Sequence, residues 1–213
     1  MKVLITAGPT REYLDDVRFL SNASSGQMGY ALAMAAQAAG WEVILVSGPV
    51  SLQAPSGVEL HRVISAVEMY ETVLELIDGV NGVIGAAAVA DYRPKFRHEG
   101  KIRRSDEPLI VELVPNPDIL AEVGKRKRPD QWIVGFALEP DLRDLASARR
   151  KLQAKNCDAI CINPASVLDE AWTEIYLMDR SGELKARWKG PKLNVAAEIV
   201  GWIVENLVPA GKS

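Results

Sequence analysis

The sequence predicts an α/β fold: a mostly parallel sheet with helices on both faces and a late β-hairpin. Three observations predict it. Short apolar runs of strand length alternate with stretches of helical period along most of the chain, which is the pattern of βαβ units. Runs such as 43–46 and 83–89 are apolar or small at every position, as strands covered on both faces are. Towards the end the period switches to strict alternation, in 174–178 and 183–188 around Asp179-Arg180-Ser181-Gly182, the signature of a hairpin at a sheet edge.

The first strand is 3–6. It runs into a polar loop longer than the roughly 2–6 residues usual between strand and helix. That loop carries Arg11, Arg18, Asn22, Ser24, Ser25 and Gly26 ahead of a small-residue helix at 28–39, closed by Gly40. Ser24-Ser25-Gly26-Gln27-Met28-Gly29, with Gly8 before it, reads as an anion-binding turn. Free N–H groups and the positive end of a helix favour phosphate there, and glycine lets a backbone approach closely. The same residues also fit an ordinary helix start, with Ser24 or Ser25 as N-cap and the glycines serving packing alone.

The second strand, 42–46, ends in Ser47-Gly48-Pro49. A dinucleotide-binding fold has an acidic residue there to hold a ribose. Ser47 and Gly48 stand in its place, the glycine fingerprint is missing near Gly8, and there is no Tyr-x-x-x-Lys pair. These facts weigh against an NAD(P)-dependent reductase of short-chain type. A third strand at 58–64 precedes a capping box, Ser65 and Glu68. The helix it opens places Val67, Tyr70, Val73, Leu74 and Ile77 inward and ends at Gly79.

The fourth strand, 83–89, ends in Ala90-Asp91-Tyr92-Arg93, where small residues leave space for a flat ring. Asp91 there accepts a hydrogen bond, helps hold a metal ion, or simply begins a turn. The stretch 94–107 has little periodicity and carries Lys95, Arg97, Lys101, Arg103 and Arg104. It reads either as a solvated loop or as a basic flap closing over a polyphosphate. A strand at 109–113 leads to Asn116 as N-cap and Pro117 in the first turn of a helix. A further strand, 132–137, ends in Gly135-Phe136-Ala137, where Phe136 fills core or stacks on a base.

The helix at 142–155 turns Leu145, Ala148 and Leu152 inward. Lys151 and Lys155 share one face of it, which costs roughly 0.2–0.5 kcal/mol unless an anion lies between them. A strand at 157–162, the hairpin, and a helix at 192–207 with Ala196, Ile199, Val200, Ile203 and Val204 inward complete the chain. No repeat or boundary interrupts it, so one domain spanning 1–213 is expected.

Composition narrows the function. With 213 residues and a net charge of −3, nucleic-acid binding driven by bulk charge is not expected. No apolar run approaches the ~18–20 residues of a membrane span, and the chain enters a strand directly after Met1-Lys2, leaving no room for a signal peptide. A cytoplasmic location is expected. The two cysteines, Cys157 and Cys161, flank a short strand. At a rise of about 3.3 Å per residue they share a face about 13 Å apart, too far for a disulfide. Two separated histidines, His61 and His98, make neither a His-rich metal site nor a local charge relay.

Five blocks occur in order: Thr6-Ala7-Gly8-Pro9-Thr10-Arg11-Glu12; 17–26, with Arg18, Asn22 and Ser24-Ser25-Gly26; Ala87-Ala88-Val89-Ala90-Asp91-Tyr92-Arg93; Asn116-Pro117-Asp118-Ile119; and Val134-Gly135-Phe136-Ala137. Together they resemble phosphopantothenoylcysteine synthetase over nearly the whole chain. The resemblance implies a Rossmann-like ligase of coenzyme A biosynthesis. It would join 4′-phosphopantothenate and L-cysteine through an acyl-cytidylate, converting CTP to CMP and pyrophosphate, with Mg²⁺ carried on the triphosphate and no dedicated metal site. By the same resemblance Asn22, Lys101 and Arg18 carry catalysis. Gly85, Ala86, Ala87 and Asp91 form the cytidine pocket. Pro117, Asp118, Ile119, Leu120, Phe136, Lys151 and Lys155 contact the nucleotide, and Lys101 also lies on a flap over the triphosphate. The family flap reads Lys-x-Lys-Lys where this chain has Lys101-Ile102-Arg103-Arg104, and an arginine fork does not replace a lysine point charge in kind. Members are homodimers, with the late hairpin as the expected partner contact. Members are often fused behind a flavin-dependent decarboxylase, so the chain is a stand-alone enzyme or one domain of a fusion, and FMN is not expected to bind it. The competing reading is a non-catalytic nucleotide-binding protein.

Overall fold

In the computed structural model, residues 1–139, 145–164 and 172–209 are described. Strand β1 (Lys2–Ala7) is buried along five of its six residues. A small antiparallel pair, β2 (Arg11–Tyr13) and β3 (Phe19–Ser21), follows it. Then come α1 (Gln27–Ala38), β4 (Glu42–Ser47), β5 (Glu59–Arg62) and α2 (Ala66–Leu76), which tightens into a 3₁₀ turn at Ile77–Gly79. The middle of the chain holds β6 (Gly82–Gly85), β7 (Tyr92–Pro94), β8 (Leu113–Pro115), α3 (Ile119–Arg126) and β9 (Trp132–Glu139). It ends with α4 (Ala146–Ala154), β10 (Ala159–Pro164), β11 (Trp172–Asp179), β12 (Leu184–Pro191) and α5 (Lys192–Asn206).

The main sheet has eight strands in the order β12-β11-β10-β9-β6-β1-β4-β5. Neighbours from β10 to β5 are parallel, and the β11–β12 hairpin closes one edge antiparallel. Alternate residues of the parallel strands inside the β5 edge feed opposite cores. Val3, Ile5, Val43 and Leu45 pack with α1 and α5, whereas Leu4, Ile44, Ile133 and Ile160 pack with α2, α3 and α4. Both faces are therefore covered, which is why these strands read as continuous apolar runs. Helix α1 sits tight on the sheet because Gly29 has no Cβ; one would lie 2.5 Å from the Ala7 Cβ.

The structure corrects several expectations. The long polar loop contains the β2–β3 pair, pinned to α2 by the Arg11 N–H on the Ile64 carbonyl (2.8 Å) and by the buried Glu12 carboxylate on the Ala66 N–H (2.9 Å). The run 83–89 stays in the sheet only to Gly85. Its continuation is drawn onto the loop after β1: Thr6 takes the N–H groups of Ala86 and Ala87, and Gly8 takes that of Ala88. The apolar run 109–113 is no sheet strand. Only Leu113–Pro115 pairs, with β7, and Ile110 is 90% exposed. The inward face of α2 centres on Met69, Val73 and Ile77, with Tyr70 and Leu74 beside it. Cys157 and Cys161 do not share a face. Cys157 lies in the turn before β10, ahead of the strand's alternation, so the two fall in opposite cores. The expected start of the α4 helix at 142–144 lies outside the described residues.

Candidate active site

In an open α/β sheet, ligands sit beyond the carboxyl ends of the strands, where the strand order reverses. Here that point lies between β1 and β6, because β4 and β5 build outward on one side of β1 and β6 begins the other. A cavity of about 300 Å³ occupies it. Its floor is the end of β1 at Thr6 and of β6 at Gly85, its back the segment from Ala87 to Asp91. Phe136 of β9, the start of α3 and Lys155 form the opposite wall. Gly85 leaves room for Leu120: a Cβ there would fall 2.6–2.9 Å from the Leu120 side chain, which lines the same cavity and would have to shift. Phe136 is half-buried, packed on the core with part of its side chain lining the cavity.

The wall beside α3 is held by a polar network. Asp118, not Asn116, is the N-cap of α3, accepting the Ala121 N–H at 3.0 Å. Asn116 is engaged elsewhere: its amide donates to the Ala90 carbonyl (2.8 Å) and its oxygen accepts from Arg93 (3.1 Å). The Asp118 carboxylate also pairs with Lys155 at 3.1 Å, which brings one cation to the cavity. Lys151, one turn earlier, pairs instead with the buried Glu139 at 2.8 Å and does not line the cavity. Ala86 is half-buried, and both of its chain neighbours line the cavity.

Asn22 stands at the rim. Its Nδ2 donates to the carbonyls of Ala88 (3.1 Å) and Val89 (3.0 Å), and Val89 lines the cavity. The glycine-rich turn lies behind it. Gly8 and Gly26 both take left-handed backbone, at φ 75° and 77°, a region that costs other residues most. A Cβ on Gly26 would fall 3.2 Å from the Gly8 Cα, so the two loops cross glycine on glycine. Gly26 itself is the N-cap of α1, without a side-chain cap. Ser24 Oγ accepts the Gly26 N–H at 3.3 Å, and Ser25 adjoins it. None of Gly8, Ser24, Ser25, Gly26 and Gly29 lines the cavity.

The other side of β1 is closed. A Cβ on Gly48 would fall 1.8 Å from the Pro9 carbonyl oxygen, so the loop after β1 lies directly over the end of β4. Ser47 is buried, and its hydroxyl meets that of Tyr30 at 3.1 Å. The place where a dinucleotide fold grips a ribose is thus filled by protein.

Arg18 and Lys101 lie outside the cavity lining. The Arg18 guanidinium is paired with Asp15 and donates to the Ile102 carbonyl at 2.7 Å. Lys101 is exposed beside that contact. Asp15 has a fully buried side chain. The Arg18 guanidinium, aided by the N–H groups of Val17, Arg18 and Ile102, holds its carboxyl well below the usual carboxylate range, against burial. Sequence reasoning missed Asp15, and it missed Thr6, Val89 and Asn116 as lining. An Asp two and three residues before its N–H partners is an Asx-type turn, the one local signal that could have marked Asp15. Among the described residues, no group of three or more His, Cys, Asp or Glu is placed to hold a metal ion. Among them, too, no helix is long and apolar enough to cross a membrane.

Residues 1–207 match the DNA/pantothenate metabolism flavoprotein C-terminal domain family. The chain is 42% identical over 208 residues to the coenzyme A biosynthesis bifunctional protein CoaBC of Haemophilus influenzae, covering 96% of this chain and 52% of that protein. It is 50% identical over 163 residues to the Bacillus subtilis protein of the same name, covering 76% and 39%. Among solved structures it is similar to the C-terminal domain of a coenzyme A biosynthesis bifunctional protein CoaBC. There the TM-score is 0.79 at 40% identity, over 95% of this chain and 93% of that one. The chain spans about half or less of the length of these curated relatives.

Proposed function

The chain belongs to the DNA/pantothenate metabolism flavoprotein C-terminal domain family, and from that premise we propose that it is a phosphopantothenate–cysteine ligase, its residues 1–213 forming one domain. It joins 4′-phosphopantothenate to L-cysteine in coenzyme A biosynthesis, with CTP as co-substrate and Mg²⁺ carried on the triphosphate. A carboxylate is anionic and a poor electrophile, so it first needs a leaving group. Its oxygen attacks the α-phosphorus of CTP, and the bond to the bridging oxygen breaks to release pyrophosphate. The cysteine amine then attacks the acyl carbon of the acyl-cytidylate. The C–O bond breaks, CMP leaves with the electron pair, and the amine gives up its proton.

Both steps gather anions, so the site must supply cations and oriented N–H donors. The observation that carries the reading is the cavity on the β6 side of β1, with a small-residue floor and Lys155 on its wall. Gly85, Ala86 and Ala87 lie along the nucleoside, Phe136 packs on the base, and Asp91 accepts from the ribose hydroxyls. Pro117, Asp118, Ile119 and Leu120 bring the start of α3 to the phosphates. Lys155 and Lys151 exchange their carboxylate partners for triphosphate oxygens, and Lys101 covers them from the flap. Asn22 turns its amide donors on the acyl oxygen, near Arg18. The turn of Gly8, Ser24, Ser25, Gly26 and Gly29 takes a substrate phosphate at the start of α1.

The enzyme acts as a homodimer, through the open edge of β12 or through the exposed apolar side chains of the β7–β8 arm, where Phe96 is 77% and Ile110 90% exposed. Mass spectrometry of a mixture of protein, CTP, 4′-phosphopantothenate and cysteine tests the reading. The amide product appears only in the complete mixture; its absence there, from folded protein, contradicts the assignment. The closed end of β4 at Pro9 and Gly48 disfavours the reductase alternative.

A further inference from the structure

Two stretches far apart in sequence, 14–18 and 97–102, are laced together. The His98 N–H donates to the Leu14 carbonyl (2.9 Å) and the Asp16 N–H to the Gly100 carbonyl (3.2 Å). The Asp16 carboxylate accepts the Gly100 N–H and the Arg97 guanidinium, both at 2.8 Å. The Asp15 carboxylate accepts the N–H groups of Val17 (2.8 Å), Arg18 (2.7 Å) and Ile102 (3.1 Å), and the Arg18 Nε (2.9 Å). Arg18 completes the strap on the Ile102 carbonyl at 2.7 Å. Gly100 and Ile102 are therefore both fixed, and Lys101 is the residue between them.

The geometry points to Asp15 as a positioning residue that, through the Ile102 N–H and Arg18, fixes where Lys101 is presented, a role resting on the ligase reading of Lys101. Asp15 is suited to it. A carboxylate supplies several acceptor positions, and here they are spent on both partners at once: its own turn, which aims the Arg18 side chain, and the flap. Asp16 is the exposed second half of the clasp. Arg18 then acts through Lys101 as well as by its own charge, since its fork spans Asp15 and the flap carbonyl.

Asp15→Asn keeps the size of the side chain but replaces one acceptor oxygen with an NH₂ that faces N–H donors. The test compares Asp15→Asn, Lys101→Gln and the double variant in steady-state ligation, with amide hydrogen exchange at Gly100 and Ile102 read in parallel. Positioning predicts that Asp15→Asn turns over roughly tenfold more slowly or worse, the scale of a misplaced active-site group. It also predicts a double variant no slower than the slower single one, and faster exchange at both amides. Additive losses, or wild-type kinetics in Asp15→Asn, overturn it. Should Asp15→Asn fail to fold, Asp16→Ala loosens the clasp from its exposed side. Turnover slowed several-fold, with faster exchange at Gly100, then supports the clasp, and unchanged values refute it. Hydrogen exchange needs no turnover. A wild-type protein that makes no amide but shows the clasp-dependent exchange contradicts the ligase reading alone. Exchange at Ile102 indifferent to Asp15→Asn contradicts the clasp alone.

Discussion

Asn22 meets the Ala88 and Val89 carbonyls only as a donor. Asn22→Asp keeps the shape and turns that donor into an acceptor facing two carbonyl oxygens. We expect ligation to fall about 100-fold, the scale of losing one oriented donor in an active site, with the circular dichroism spectrum unchanged. Asp15 yields a pH prediction. Its native carboxyl titrates below the unfolded one, so its contribution to stability is present above about pH 4, the ordinary Asp value, and is lost as pH falls towards the native value. The Tm gap between wild type and Asp15→Asn should hold from pH 7 to 5 and narrow only below about 4. A gap that narrows between 7 and 5 would show that Asp15 is not held ionised. At this scale Gly85, Ala87, Asp91, Pro117, Asp118, Ile119, Leu120, Phe136 and Lys155, which meet in the cavity, were named together through the family resemblance. Asp15 was not, since its decisive partner, Ile102, is 87 residues away.

The start of α2 was readable from sequence alone, and its capping is local. Ser65 Oγ accepts the Glu68 N–H at 3.2 Å, while the Glu68 carboxylate reaches back to the Ile64 N–H at 2.9 Å. Ser65→Ala should cost about 1 kcal/mol, or roughly 2–4 °C in Tm for a chain of this length, measurable by calorimetry. Helix α3 shows where such reading stops. Asn116 and Asp118 are both good caps by type, and only the Ala90 carbonyl, brought in by tertiary structure, takes Asn116 out of contention. The same holds for β6: its apolar run continues, but Thr6 claims the next N–H groups and bends the chain away to form the back of the cavity.

Over the whole molecule, alternation of apolar runs foretold a two-faced parallel sheet and the edge hairpin, because burial on both faces leaves its mark on every residue. The order of strands, the opening of the cavity on the β6 side and the crossing of 14–18 with 97–102 leave no such mark; they arise from contacts between distant segments. One such contact staples the sheet's far end. Lys127 pairs with Asp158 at 2.8 Å, their side chains 8% and 13% exposed, and Asp158 also takes the Ile133 N–H at 2.8 Å. Lys127→Ala strips a nearly buried carboxylate of its closest cation and should cost about 3 kcal/mol in urea unfolding. Asp158→Asn on top of it should recover part of the loss.

As a ligase, the chain would activate a carboxylate with a nucleoside triphosphate in the cavity beyond β1 and β6. Pyrophosphate release from the purified chain, with CTP or ATP and with or without 4′-phosphopantothenate, is the measurement that decides this. We expect release that requires both CTP and 4′-phosphopantothenate, limited without cysteine and continuous once cysteine is added. A protein that binds CTP yet releases no pyrophosphate with either nucleotide would contradict it and leave a nucleotide-binding module.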